Sequence, residues 1–239
     1  SRKALVFYQG ALKVAAQGAE ITEDIRKGLA RAEQTCQRYA MEYESFLVDS
    51  LKQQGYVAGK AHPRFEQALD LAFGKAEVYY QQPTRFHYPE LPQIQFYPRE
   101  TFSWIDQLEA QTDAIRHELF SVMENMNNFS PYLISDPDSV QFNDNSNLDN
   151  NDWGAYFFYQ KGNMVTTNAA QCPATMACLH ELPLPRVPGS TPHALFSRLA
   201  ANTKIPPHHG LINTRLICHL PLLVPENCGA LRCGNQQRA

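Results

Sequence analysis

Ile205 to Leu223 read IPPHHGLINTRLICHLPLL, a Pro-Pro-His-His-Gly turn that opens into a segment of alternating apolar residues. Leu216, Cys218, Leu220 and Leu222 fall on one side and Arg215, Ile217, His219 and Pro221 on the other, the two-residue period of a half-buried strand. The pattern sets His208 and His219 on or beside one strand, near a cleft. Neutral imidazole is the commonest transition-metal ligand and, when protonated, a good partner for a carboxylate. A strand histidine is also a common hydrogen-bonded structural residue, so spacing alone leaves both readings open.

The chain upstream has a different period. Ala4, Leu5, Phe7, Tyr8, Ala11, Leu12 and Ala15 are spaced as one helix. From Ile25 an apolar stripe runs through Leu29, Ala32, Cys36, Tyr39, Tyr43, Phe46 and Leu51, which predicts a long amphipathic helix. Thr22 stands at its N-cap, Glu23 and Asp24 complement the positive helix end, and Gly55 ends it. Pro63 opens a shorter helix through Phe65, Leu69 and Phe73 to Gly74. A connector from Gln82 to Pro98, rich in proline and aromatic residues, excludes a long helix there and reads as an ordered crossing segment. Helical spacing returns from Trp104 to about Met126, and Asp136 to Asp152 reads as a long surface loop. Strands are expected at Tyr156–Gln160, Ala177–Leu182 and Leu216–Val224. Helices first and antiparallel sheet second make an α+β chain.

With 239 residues the chain can bury a real core. Its formal net charge is −3 with 21 basic residues spread along it, so it has no electrostatic footprint for nucleic acid. No apolar run approaches the ~20 residues that span a bilayer, and a soluble, cytoplasmic chain is the expectation. There is no G-x-S-x-G, Walker-type, G-x-G-x-x-G or H-E-x-x-H sequence, which removes the usual hydrolase, nucleotide and zinc-protease readings. Cys218 beside His219 is no thiol–imidazole pair, because strand neighbours point to opposite faces. The six cysteines contain no C-x-x-C and suggest no structural zinc site.

Ser197, Pro207-His208-His209-Gly210, Asn213, Arg215, His219-Leu220, Pro225, Arg232-Cys233 and Asn235, taken in order, resemble the aspartyl/asparaginyl β-hydroxylase family of iron(II)- and 2-oxoglutarate-dependent oxygenases. The resemblance is clearest from Asp152-Trp153 to Asn235 and loosens back to about residue 90. It implies a double-stranded β-helix, a jelly-roll holding iron at its open end, over residues 81–239. Residues 1–80 form a preceding helical segment, comparable to the tetratricopeptide-like helices that precede bacterial members. The usual facial triad places an acid two residues after its first histidine; this chain has Gly210 there, as the family does.

The resemblance makes His208 the metal ligand, with His209 its neighbour. It gives Ser197 and His219 the carboxylates of 2-oxoglutarate; Arg215, which also has a family counterpart, is either a further cosubstrate contact or a structural salt bridge, and Trp153 either lines the pocket or is a buried core residue. An arginine of animal members is replaced by Ile217. Cys172 and Cys178 match a nearby pair in animal relatives and are the candidate bridge if one forms. The family continues with a strand carrying a second histidine and an arginine, expected beyond Ala239, and the start at Ser1 is expected to lie inside a longer helical region. The implied activity, with Fe(II), 2-oxoglutarate and O2, is hydroxylation of a C–H bond, with an Asp or Asn side chain of a protein or peptide as first substrate. The alternative is a non-catalytic interaction module on a degenerate oxygenase scaffold.

Overall fold

The computed structural model describes residues 2–17, 21–135 and 147–238, with side chains from residue 6 onward. The expected loop from Asp136 to Asp152 lies outside the described residues over 136–146. The chain divides into two compact units, Ser1–Val78 and Tyr79–Ala239.

The first unit is helical: α1 (Arg2–Ala16), α2 (Glu23–Gln53) and α3 (Pro63–Ala72). The stripe read from the sequence forms α2, with Ala32 buried. Thr22 occupies the N-cap position without a side-chain hydrogen bond, so the acidic first turn carries the favourable interaction with the helix end. Gly55 and Gly74 follow α2 and α3 with φ of +90° and +70°, a region where only glycine is unstrained. The turn before α3 is tied by Glu66, which accepts from the Tyr56 hydroxyl at 2.6 Å and the Gly59 amide at 2.9 Å. The Tyr56 bond holds the Glu66 carboxyl below its ordinary value.

The second unit is mixed. The expected helix from Trp104 to Met126 is two, α4 (Ile105–Ala110) and α5 (Thr112–Met123), broken at Gln111. There follow β1 (Ser130–Pro131), β2 (Trp153–Gln160), β3 (Asn163–Met164), α6 (Thr166–Gln171), α7 (Pro173–Glu181), β4 (Ala194–Leu199), β5 (Leu231–Cys233) and β6 (Gln236–Arg238). Strand β2 is central, paired antiparallel with β1, β3 and β4; β5 and β6 form a separate hairpin. Lys161 and Gly162, both at positive φ, make the two-residue turn between β2 and β3, as a tight hairpin requires.

One face of β2 is the floor of the core. Tyr156 and Phe158, with Phe196 of β4, pack against Leu119 and Val122 of α5, Met176 and Cys178 of α7, and Phe129. Burying each large apolar side chain contributes about 1.5–3 kcal/mol. Gly154 lets Phe129 approach, since a Cβ there would stand 3.3 Å from the Phe129 Cβ.

Two expected strands are absent. Ala177–Leu182 falls largely in α7, which starts with Pro173 at a permitted first position. Its N-terminus is held by Glu118 of α5, whose carboxylate accepts from the Ala174 amide at 2.7 Å, the Thr175 amide at 2.8 Å and the Thr175 hydroxyl at 2.6 Å. Leu216–Val224 finds no ladder partner among the described residues. Its even side still works as read, for Leu220 and Leu222 pack on the core and the Leu222 carbonyl accepts from Arg116 Nε at 2.7 Å.

Cys172 and Cys178 are free, buried thiols. Six residues of helical rise separate their Cα atoms by about 9 Å, beyond the ~7 Å a disulfide tolerates. Burial pushes the Cys172 thiol up to about 11, the nearby Glu118 adding to it.

Candidate functional site

The other face of β2 carries a row of rings. Tyr132, just after β1, stacks on Trp153 with centroids 4.1 Å apart and lies parallel to Phe157 at 6.3 Å. His193, preceding β4, meets Phe157 edge-on at 5.3 Å and Tyr132 at 6.4 Å. The register pairs Ala155 with Ser197, so Ser197 lies on the same face as Trp153. There the indole Nε1 donates to Ser197 Oγ at 3.1 Å. A hydroxyl that accepts from the indole keeps its own proton for another acceptor.

His208 stands beside the Trp153 end of this row, ring centroids 6.4 Å apart. Its Nδ1 lies 2.9 Å from the Pro206 carbonyl oxygen. A carbonyl can only accept, so this hydrogen bond puts a proton on Nδ1, and in the neutral ring Nε2 then presents its lone pair. Metal-binding histidines are held in this way, by a backbone carbonyl on the ring nitrogen away from the metal. His208 therefore fits one ligand position. Among the described residues no group of three His, Cys, Asp or Glu side chains converges to complete a centre.

Arg215 makes no ion pair or hydrogen bond among the described residues. Its charge is felt by two neighbours. Burial raises the Tyr132 phenol while Arg215 pulls it back, and burial lowers the His193 imidazole with Arg215 adding to the effect. Arg215 also lines a cleft of about 200 Å³ with Gln81, Gln82, His209 and Ile217. The adjacent imidazoles of the turn thus serve different surroundings, His208 beside Trp153 and His209 on the cleft.

Of the residues singled out from the sequence, Trp153, Ser197 and His208 come together, and Arg215 lies near the Tyr132–His193 end of the row. His219 makes no hydrogen bond or ring contact among the described residues; burial lowers its imidazole. Tyr132, His193 and Gln81 were not singled out. His193 carried one usable sign, its odd-numbered parity with Leu195 and Ser197 at the start of β4.

The turn after His208 is fixed from outside. Thr84 donates to the Gly210 carbonyl at 3.2 Å, and Arg85 and Phe86 to that of Leu211 at 2.9 and 3.1 Å. The buried Asn213 side chain accepts from the Tyr88 amide at 2.7 Å and donates to the Tyr88 carbonyl at 2.8 Å and Gln81 Oε1 at 3.2 Å. The connector is thereby bonded to the loop that carries both histidines.

Residues 109–239 match the model of the family described as Aspartyl/Asparaginyl beta-hydroxylase. The chain is similar to aspartate beta-hydroxylase domain-containing protein 2 of Xenopus tropicalis, 27% identical over 66% of this chain and 40% of the relative. The same-named protein of Rattus norvegicus is 28% identical over 66% of this chain and 44% of the relative. Ornithine lipid ester-linked acyl 2-hydroxylase of Rhizobium tropici is 28% identical over 62% of this chain and 50% of the relative. The matched part thus spans half or less of the length of these relatives, and no solved structure matches. With more than half of its residues inside the family match, the chain belongs to the aspartyl/asparaginyl β-hydroxylase family.

Proposed function

We propose that this chain forms part of an iron(II)- and 2-oxoglutarate-dependent dioxygenase that hydroxylates a C–H bond, with the second unit contributing to a jelly-roll. The observation that carries the reading is the Trp153–Ser197 hydrogen bond beside His208. It sets a hydroxyl donor and an imidazole around one indole ring, the kinds of group needed to hold a carboxylate near a metal. Bound together, iron(II), 2-oxoglutarate and O2 supply the oxidation, with one oxygen atom entering the substrate as hydroxyl and the other entering succinate as CO2 leaves. The protein's share is to bind and orient. His208 offers Nε2 to the metal, Ser197 donates to a cosubstrate carboxylate, and the Tyr132–Trp153–Phe157 row excludes water on that side. Arg215 and His219 are the further donors proposed for carboxylates at this site.

The relatives' names share one piece of chemistry. The β-carbon of aspartate adjoins a carboxyl group, and the 2-carbon of an acyl chain adjoins a carbonyl. We therefore assign the target as a carbon next to a carboxyl or carbonyl group, with an Asp or Asn side chain of a peptide as first substrate.

The test is anaerobic titration of the protein with iron(II) and 2-oxoglutarate, followed by the charge-transfer absorption of a chelated cosubstrate. The band is expected in the native protein and in His209→Ala, and lost in His208→Ala. Its absence from the native protein would favour a non-catalytic interaction module, and the reverse outcome for the two histidines would move the metal ligand to His209. Peptide hydroxylation is then read as the mass of one added oxygen, with matching succinate.

A further inference from the structure

We propose that the connector from Tyr79 to Pro98 and the two segments bonded to it form a docking surface for an anionic phospholipid bilayer. Tyr80, Phe86 and Tyr88 enter the interface, and Arg85, Arg232 and Arg238 meet the headgroup phosphates. The inference stands apart from the hydroxylase reading, because none of these residues is assigned there to metal or cosubstrate.

The first observation is what the connector shows to solvent. Six of its 20 residues are Phe or Tyr, yet Tyr80, Phe86 and Tyr88 are 63%, 52% and 53% exposed. Phe86 and Tyr88 touch, with ring centroids 6.4 Å apart. The exposed Leu211 lies beside them on the neighbouring loop, its carbonyl accepting from the Arg85 and Phe86 amides. Exposed apolar side chains gathered in one patch mark an interaction site. The Tyr80 and Tyr88 hydroxyls make no hydrogen bond among the described residues. An apolar ring that ends in such a hydroxyl suits the boundary between acyl chains and headgroups, where tyrosine is enriched.

The second observation is charge. The chain has a formal net charge of −3, but Glu90 is the only acid in residues 79–98, 205–217 and 231–238, which hold Arg85, Arg215, Arg232 and Arg238. None of these arginines enters an ion pair among the described residues. Arg215 lines the cleft, and the other three are exposed. Local positive charge on a net negative chain selects an anionic partner, and a guanidinium bonds phosphate oxygens two at a time.

The third observation is how the three segments are held. Gln95 Oε1 accepts from the Gln236 amide of β6 at 3.2 Å, Arg232 donates to the Tyr79 hydroxyl at 3.5 Å, and the Arg238 guanidinium stands 5.0 Å over the Phe96 ring. On the other side the amides of Thr84, Arg85, Phe86 and Tyr88 are bonded to the Gly210–Asn213 loop. Those amides are satisfied within the chain, so they offer no strand edge for a partner peptide to extend. What remains for a partner is side chains on a fixed backbone, and little ordering is lost when they dock. The loop that follows the His208–His209 turn belongs to this frame, so docking sets that turn at the level of the headgroups.

The test is flotation of the whole chain with two kinds of vesicle, phosphatidylcholine alone and phosphatidylcholine with roughly one-third phosphatidylserine. Binding to the mixed vesicles is expected to be about ten-fold tighter than to the neutral ones, and to weaken about ten-fold at high salt. Arg85→Gln is expected to lose about five-fold, the share of one basic side chain at such a surface, and Arg85→Lys to bind like the native chain. The Arg85 side chain makes no hydrogen bond or ion pair among the described residues, so this pair tests the surface without touching the fold. Tyr80→Ser combined with Phe86→Ser is expected to lose about ten-fold. Phe46→Ser, at a comparably exposed ring on α2, is expected to leave binding unchanged. No binding to either vesicle, equal binding to both, unchanged affinity in Arg85→Gln and in the Tyr80/Phe86 double variant, or an equal loss in Phe46→Ser overturns the proposal. Protein interfaces also favour tyrosine and arginine. A concentration-dependent dimer in sedimentation velocity that the double variant abolishes, with no vesicle binding, therefore assigns the surface to a second copy of this chain and overturns the proposal as well. Vesicle binding requires neither iron nor 2-oxoglutarate, so its outcome is separable from that of the charge-transfer titration.

Discussion

The two faces of strand β2 are both aromatic, yet they use their rings differently. On the core face Tyr156, Phe158 and Phe196 pack edge-on or offset, Phe158 meeting Phe196 at 4.8 Å and 87°, under the cover of α5 and α7. The polar atom of that cluster is turned inward, the Tyr156 hydroxyl bonding the Asn168 carbonyl at 3.3 Å and Gln171 Oε1 at 3.2 Å. On the other face Tyr132, Trp153 and Phe157 lie nearly parallel, and the polar atoms at their margin keep bonding capacity for something else: the Ser197 hydroxyl, His208 Nε2 and the Arg215 guanidinium. Burial alone stabilises both faces; spare hydrogen-bonding capacity marks the one proposed to bind a ligand.

The sharpest way to break that contrast is to mutate matched residues on each side. Phe158→Ala, at a ring that is 1% exposed, is expected to cost about 3–5 kcal/mol through the cavity it leaves, measured by urea unfolding. Next in size is Glu118→Ala, which strips three hydrogen bonds from the start of α7. Charge-assisted bonds to orphan helix amides make about 2–3 kcal/mol the expected loss, and amide exchange should rise first at Ala174 and Thr175. Trp153→Phe should invert the pattern: it keeps the stack on Tyr132, costs about 1 kcal/mol of stability, and weakens 2-oxoglutarate about ten-fold through a freely rotating Ser197 hydroxyl. If Trp153→Phe unfolds the protein while cosubstrate affinity in the remaining folded fraction is unchanged, the two faces do not differ as argued.

What the sequence made legible follows the range of the interactions involved. The helical stripe from Ile25 to Leu51 and the strand at Tyr156–Gln160 were readable because periodicity is local. Ala177–Leu182 was read as a strand because a short apolar run does not choose its own conformation; the choice is made by Pro173 and by Glu118, which lies 56 residues from Ala174. In Leu216–Val224 the alternation identified the core-facing side at Leu220 and Leu222 while the ladder it implied was missing. At the candidate site, order along the chain named Trp153, Ser197 and His208, but the spacing itself said nothing of their meeting. Gln81 was out of reach, since its link to Asn213 spans 132 residues and no local pattern encodes it.

The smallest effect separates the two faces by pH. His193 and His219, neither of them in the core cluster, have imidazoles lowered from 6.5 chiefly by burial. In the unfolded chain these rings take up protons first, so stability is intact above pH 6.5 and falls as pH drops below it. The core side titrates at the other end, where the Tyr132 phenol of the site face, also raised by burial, adds to it. Burial raises the Cys172 thiol from 9.0 to about 11 and the Tyr156 phenol from 10.0 to about 12. The unfolded chain loses these protons before the folded one does, so stability is intact below pH 9 and declines as pH rises toward 11. Urea midpoints across pH should therefore give two independent limbs. His193→Gln with His219→Gln is expected to flatten the acid limb and leave the alkaline one, and Cys172→Ala to flatten part of the alkaline limb alone. An acid limb that survives the double histidine variant would place its origin in the carboxylates and remove the assignment of that limb to the site face.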